Sequence, residues 1–145
     1  MLLTTKFLRP SADPRSVVRN RLSSLLEAAD PKRLNLVVAP AGFGKTTLAC
    51  QWCANSSRPT AWLSLDEHDD EPRRFWQYVT GAFAANGLTG LEECRQQLGQ
   101  CSLQELEGPI TALINALAAN QTPWSLILDD YHFIQDNRIQ RQMSY

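Results

Sequence analysis

The stretch Ala39-Pro40-Ala41-Gly42-Phe43-Gly44-Lys45-Thr46-Thr47 constrains this chain more than any other. It follows a short apolar run, Leu34-Asn35-Leu36-Val37-Val38, and precedes a helical pattern that reaches about Ala54. A small-residue loop between a buried strand and a helix N-terminus suits phosphate. Its successive N–H groups point inward, and the positive end of the helix dipole faces the same anion. Against the pattern G-x4-G-K-[ST], only the first position departs, with Ala39 in place of glycine. Alanine is a small change there if φ stays negative. Gly42 and Gly44 remain to bend the loop, Lys45 supplies charge for the β and γ phosphates, and Thr46 supplies a hydroxyl for Mg²⁺. Ala41, Gly42, Phe43, Gly44, Lys45, Thr46 and Thr47 are therefore the expected phosphate-binding residues.

The rest of the chain alternates strands and helices around that loop. Residues 16–30 carry Val18, Leu22, Leu25, Leu26 and Ala29 at helical spacing, and Pro31 closes the segment. Thr60–Leu65 predicts a second strand, and the acidic turn Asp66–Glu71 leads into a helix beginning near Pro72. Phe75, Tyr78, Val79, Ala82 and Phe83 form its apolar face; Trp62, Phe75, Trp76 and Tyr78 read as core or partner surface. The acidic turn reads as helix-start chemistry rather than a metal site, and Arg73 and Arg74 as solvated, with Asp69 or Asp70 near enough for weak pairing. Residues 87–101 are ambiguous. Ser102 with Glu105 suggests a capping box opening a helix to about Ala119, and Trp124–Leu128 a third strand. Such alternation predicts an α/β fold with a mainly parallel sheet.

That third strand ends in Asp129-Asp130. Ligands of open α/β sheets bind outside the carboxyl ends of strands, so these carboxylates are expected to face the phosphate loop. Asp129 is the candidate Mg²⁺ ligand together with Thr46, and Asp130 the group that orients or deprotonates the attacking water, with Lys45 beside it in catalysis.

Composition narrows the partners. With 14 Lys plus Arg against 15 Asp plus Glu, the formal net charge is -1, which is unlike a chain-wide nucleic-acid surface. No apolar run approaches the ~18 residues of a membrane span. Cys50, Cys53, Cys94 and Cys101 read as free thiols, consistent with a cytoplasmic location, and His68 and His132 are isolated.

Five motifs in order then resemble one family. They are Lys6-Phe7-Leu8-Arg9-Pro10, Val18-Arg19-Asn20-Arg21-Leu22, the loop Ala39–Thr47, Trp62-Leu63-Ser64-Leu65-Asp66-Glu67-His68-Asp69, and Leu128-Asp129-Asp130-Tyr131-His132. Together they resemble the MalT-like, ATP-dependent LuxR-type transcriptional regulators, members of the STAND class of P-loop NTPases. The resemblance implies a three-layer P-loop NTPase fold that binds ATP or ADP with Mg²⁺. It places Val17, Val18 and Arg19 against the adenine, although the glycine that the broader class carries before the arginine is missing. Residues 1–32 would serve the adenine site and 33–145 a partial NTPase core, within one structural domain.

Such regulators switch between a resting ADP form and an inducer-triggered ATP form that self-associates and binds promoter DNA, and hydrolysis resets them. Their inducer and DNA sites lie in later domains. The chain is therefore expected to be truncated after its acidic strand, binding nucleotide weakly and hydrolysing it poorly. A freestanding P-loop kinase, or a non-catalytic interaction module with a vestigial nucleotide site, are the alternatives.

Overall fold

A computed structural model describes residues 2–28, 37, 39–102 and 105–144. The strand expected at 34–38 lies outside the described residues except for Val37. The described residues form two compact units, one built from 1–8 and 58–145 and the other from 9–57.

The larger unit is α/β. Its strands are β1 (Thr60–Ser64) and β2 (Ser125–Asp129), paired in parallel with Thr60 opposite Ser125 and Ser64 opposite Asp129. Parallel strands need a long crossover. Here α3 (Pro72–Ala85), α4 (Glu92–Gln100) and α5 (Glu107–Ala119) supply it, and α6 (Asn137–Gln142) follows β2. Ala61 and Leu63 of β1 are fully buried, as are Phe75 and Ala82 of α3. Tyr78, Val79, Leu98, Leu113, Ile134 and Ile139 complete much of the same core. Trp62, Phe75, Trp76 and Tyr78 are all buried, as their apolar bulk predicts.

Several local expectations hold, and others need correction. Pro72 does open α3, and Glu71 caps it, accepting from the N–H groups of Arg73 (3.0 Å) and Arg74 (2.8 Å). The ambiguous stretch 87–101 contains α4. Ser102 and Glu105 do pair, Oγ to carboxylate at 2.9 Å, but α5 begins later, at Glu107, so the pair stands ahead of the helix rather than capping it. Arg73 is half-buried rather than free in solvent, because its guanidinium donates to the carbonyls of Leu98 and Gly99, each at 2.9 Å. The C-terminal end of α4 leaves those carbonyls without helical partners, and a cation satisfies them.

The acidic turn does more than start a helix. Asp69 is 0% exposed. It receives the ammonium of Lys6 and, at 3.1 Å, the Nε–H of Arg74, while Asp66 meets the same ammonium at 2.7 Å. Lys6 and Arg74 both lie over the Tyr78 ring, at 4.7 and 5.2 Å from its centroid. Lys6 stands in a short 3-10 turn, Thr4–Phe7, and the contacts around it are tight. The Leu3 N–H reaches the Tyr78 hydroxyl at 3.3 Å, and Phe7 packs against the Tyr78 ring at 6.0 Å. Gly81 leaves room for this turn, since a Cβ there would stand 2.7 Å from Phe7 and 3.0 Å from Leu2. Residues 2–7 are thus fastened to α3 by charge and by ring packing together.

All four cysteines are free. Burial pushes the Cys53 and Cys94 thiols up, overcoming for Cys53 an opposing bond from Arg9. No helix among the described residues is long and apolar enough to cross a membrane.

Lys6→Ala removes one partner of a buried ion pair, and the expected loss on urea unfolding is on the order of 3 kcal/mol; a loss under 1 kcal/mol speaks against the fastening. The same cluster sets an acid response. Its bond to Lys6, against some desolvation, holds the Asp66 carboxyl below the usual range. A lowered pKa contributes stability above the unfolded value, about 3.9, that is lost as pH falls through the folded one. Wild type is therefore expected to weaken more steeply below about pH 4 than Asp66→Asn does, in unfolding curves collected across that range.

Candidate functional site

The smaller unit carries the phosphate-loop sequence. Its helices are α1 (Asn20–Ala28) and α2 (Lys45–Asn55), with the loop immediately before α2. Gly42 and Gly44 have φ of 83° and 79°, the left-handed conformation that glycine adopts without steric cost. Gly44 is the residue before the first turn of α2, and no side chain caps that helix start. Phe43 between the two glycines is 56% exposed, and its N–H makes a long turn bond to the Pro40 carbonyl at 3.4 Å. Nothing lies within 4 Å of where a Cβ on Gly42 would be. The loop therefore folds as an open backbone turn, with α2 continuing from it at Lys45.

Two cations converge there. The Lys45 ammonium folds back along the loop, donating to the carbonyls of Ala39 (2.5 Å) and Pro40 (3.2 Å). The Arg19 guanidinium stands 3.8 Å from the Cβ position of Gly44. This second cation was not legible in the loop motif, because Arg19 lies on a separate stretch 25 positions before Gly44 in the chain. Thr46 and Thr47 are half-buried in the first turn of α2. A lysine, an arginine and hydroxyls around an open glycine turn form a donor set suited to a polyanion such as a nucleotide's phosphates.

The segment expected to serve adenine also departs from its predicted helix. Residues 16–30 were expected to be helical throughout, yet α1 begins only at Asn20. Asp13 starts a turn in which its carbonyl takes the N–H of Ser16 at 2.9 Å and its carboxylate that of Arg15 at 2.8 Å. The Gln51 amide of α2 then donates to Ser16 Oγ and to the Val17 carbonyl, both at 3.3 Å. A helix begun at residue 16 would need that carbonyl for its own ladder. Val17 and Val18 are left non-helical and exposed, at 77% and 61%.

The acidic half of the expected site belongs to the larger unit, and its geometry stands by itself. Asp129 ends β2, with its carbonyl taking the Leu65 N–H at 3.1 Å. Asp130 follows at φ 59° and ψ 34°, with its carboxylate 3.9 Å from His132 Nδ1. It is the one non-glycine residue of positive φ among the described residues. Asparagine and aspartate tolerate this conformation better than other side chains do, and functional sites hold such outliers disproportionately. Among the described residues, no cluster of three or more His, Cys, Asp or Glu side chains could hold a metal alone. Mg²⁺ in nucleotide sites commonly takes only one or two protein ligands and fills the rest with phosphate and water. Thr46 in the smaller unit and Asp129 in the larger each carry oxygen of the kind that Mg²⁺ takes, each considered by itself.

Comparison with known proteins bears out the resemblance seen in the motifs. The chain is 38% identical over 147 aligned positions to the HTH-type transcriptional regulator MalT of Cronobacter sakazakii, covering 100% of this chain. The chain spans 16% of the length of that relative. No family model matches it.

Gly44→Ala forces a side chain into left-handed backbone, and the expected cost is about 1 kcal/mol in chemical unfolding. A neutral result means that the turn relaxes to ordinary angles without penalty.

Proposed function

We propose, from its kinship along the whole chain with a MalT-type transcriptional regulator, that this protein is the nucleotide-binding part of a signal-responsive regulator. The observation that carries the proposal is the loop Ala39–Thr47. Its two glycines are left-handed, it opens α2 at Lys45, and it gathers the Arg19 and Lys45 cations.

ATP or ADP is the ligand in this reading. The backbone of Ala41, Gly42, Phe43 and Gly44 would receive the phosphates, with the Thr47 turn of α2 behind them. Lys45 would leave its two carbonyls for the phosphate oxygens, exchanging neutral acceptors for charged ones and strengthening each bond. Val17, Val18 and Arg19 would flank the base end of the site, with the Arg19 guanidinium reaching back beside Gly44 toward the phosphates, and the exposure of both valines leaves apolar surface for a purine. Thr46 and Asp129 are the proposed Mg²⁺ residues, and Mg²⁺ supplies neutralisation of the phosphate charge. Asp130 would hold the water that attacks in hydrolysis.

The wider fold in this proposal is that of a P-loop NTPase, with residues 1–32 serving the adenine end and 33–145 the core. The parallel pairing of β1 with β2 is compatible with it. In the regulators it resembles, nucleotide exchange governs self-association and DNA binding, and this chain would contribute the nucleotide switch of such a cytoplasmic protein.

Thermal unfolding with and without Mg-ATP tests the reading. Ligand at 100 times its dissociation constant is expected to add roughly 2.7 kcal/mol to wild type and nothing to Lys45→Ala. Equal responses from the two chains, or none from either, overturn it.

A further inference from the structure

We propose that Asp70 is a positioning residue for the acid that follows β2: by gripping the backbone at residues 135 and 136 it keeps Asp130 in its left-handed conformation. This deepens the reading above, since it takes Asp130 as an acid of that nucleotide site.

Asp70 was expected only to pair weakly with an arginine of α3. Instead its Oδ1 accepts two main-chain N–H groups from across the fold, Gln135 at 2.8 Å and Asp136 at 2.7 Å. Asp136 in turn caps α6, accepting the Arg138 N–H at 2.7 Å. Ile134 and Ile139, on either side of this grip, are buried at 4% and 0%. The far end of the segment is therefore fixed by a carboxylate and by core packing together.

Its near end is fixed by the sheet. Asp129 is in register with Ser64, and the Leu65 N–H holds its carbonyl at 3.1 Å. Between the two anchors the chain makes one short turn, with the Phe133 N–H on the Asp130 carbonyl at 3.1 Å and the Ile134 N–H on that of Tyr131 at 2.9 Å. Asp130 enters that turn at φ 59°. Aspartate tolerates such a conformation better than most side chains, yet it still costs free energy that surrounding contacts have to offset. Asp70 is the polar anchor that does so, and it reaches over from the acidic turn before α3.

Nuclear magnetic resonance of the whole chain tests this without nucleotide. A left-handed residue has a short amide-to-Hα distance and a strong intraresidue Overhauser effect between them. Wild type is expected to show that signal at Asp130, with slow amide exchange at Gln135 and Asp136. Asp70→Ala is expected to lose the signal and to speed those exchanges about ten-fold or more. Asp70→Asn keeps an oxygen acceptor and is expected to retain both. The Mg-ATP dissociation constant of Asp70→Ala should stay within about two-fold of wild type, because the phosphate loop is untouched. Fast exchange at 135 and 136 with an unchanged Asp130 signal overturns the proposal, as does an asparagine variant that behaves like alanine. Should Asp70→Ala lose its cooperative unfolding, Asp70→Ser replaces it, since its shorter side chain cannot reach both amides. A wild type that binds no Mg-ATP overturns the functional reading alone, because the resonance and exchange results do not depend on nucleotide.

Discussion

Asp69 has no solvent-exposed surface, and the organisation of the larger unit depends on how that carboxylate is satisfied. Burying such a group without partners costs several kcal/mol, so its two cations are not optional. Lys6 arrives from the N-terminal turn and Arg74 from the first turn of α3. Meeting at one carboxylate, they fix the start of α3 relative to the N-terminal segment. The Tyr78 ring then serves both, as a face under the two cations and as a hydroxyl for the Leu3 N–H. A buried pair of this kind adds little net stability compared with apolar packing, but breaking it is expensive. Its consequence is definition: one register for residues 2–7 on the unit they join.

The neighbouring carboxylates divide further tasks. Asp66 closes the short turn 67–69, Glu71 caps α3, and Asp70 grips the backbone after β2. A stretch that reads as helix-start chemistry thus also holds separate parts of the chain. Each carboxylate acts through main-chain N–H groups or cations brought to it.

The glycine-bent loop Ala39–Thr47 works on the opposite principle. Nothing distant is needed to bend it, because Gly42 and Gly44 can take left-handed angles without steric cost, and Lys45 begins the next helix. That is why residues 39–47 could be read directly from the chain, as could β1, β2 and the start of α3 at Pro72. The errors fall where a remote side chain overrides local preference. Residues 16–19 have helical spacing, yet Gln51 takes the Val17 carbonyl and α1 begins later. Arg73 looks solvated by its neighbours in sequence, yet the end of α4 supplies carbonyls for it.

By itself the sequence determined the alternation of strands and helices, the glycine-bent loop with its lysine, and the family to which these motifs point. Those are short-range properties, set by glycine's freedom, helix capping and the period of apolar residues. Tertiary structure alone decided that Lys6 meets Asp69 across 63 positions, that Arg19 stands beside Gly44, and that Asp70 grips residues 135 and 136. The physical reason is common to all three. Charge and hydrogen-bonding capacity are written in each residue, but which donor meets which acceptor depends on where packing brings the chain.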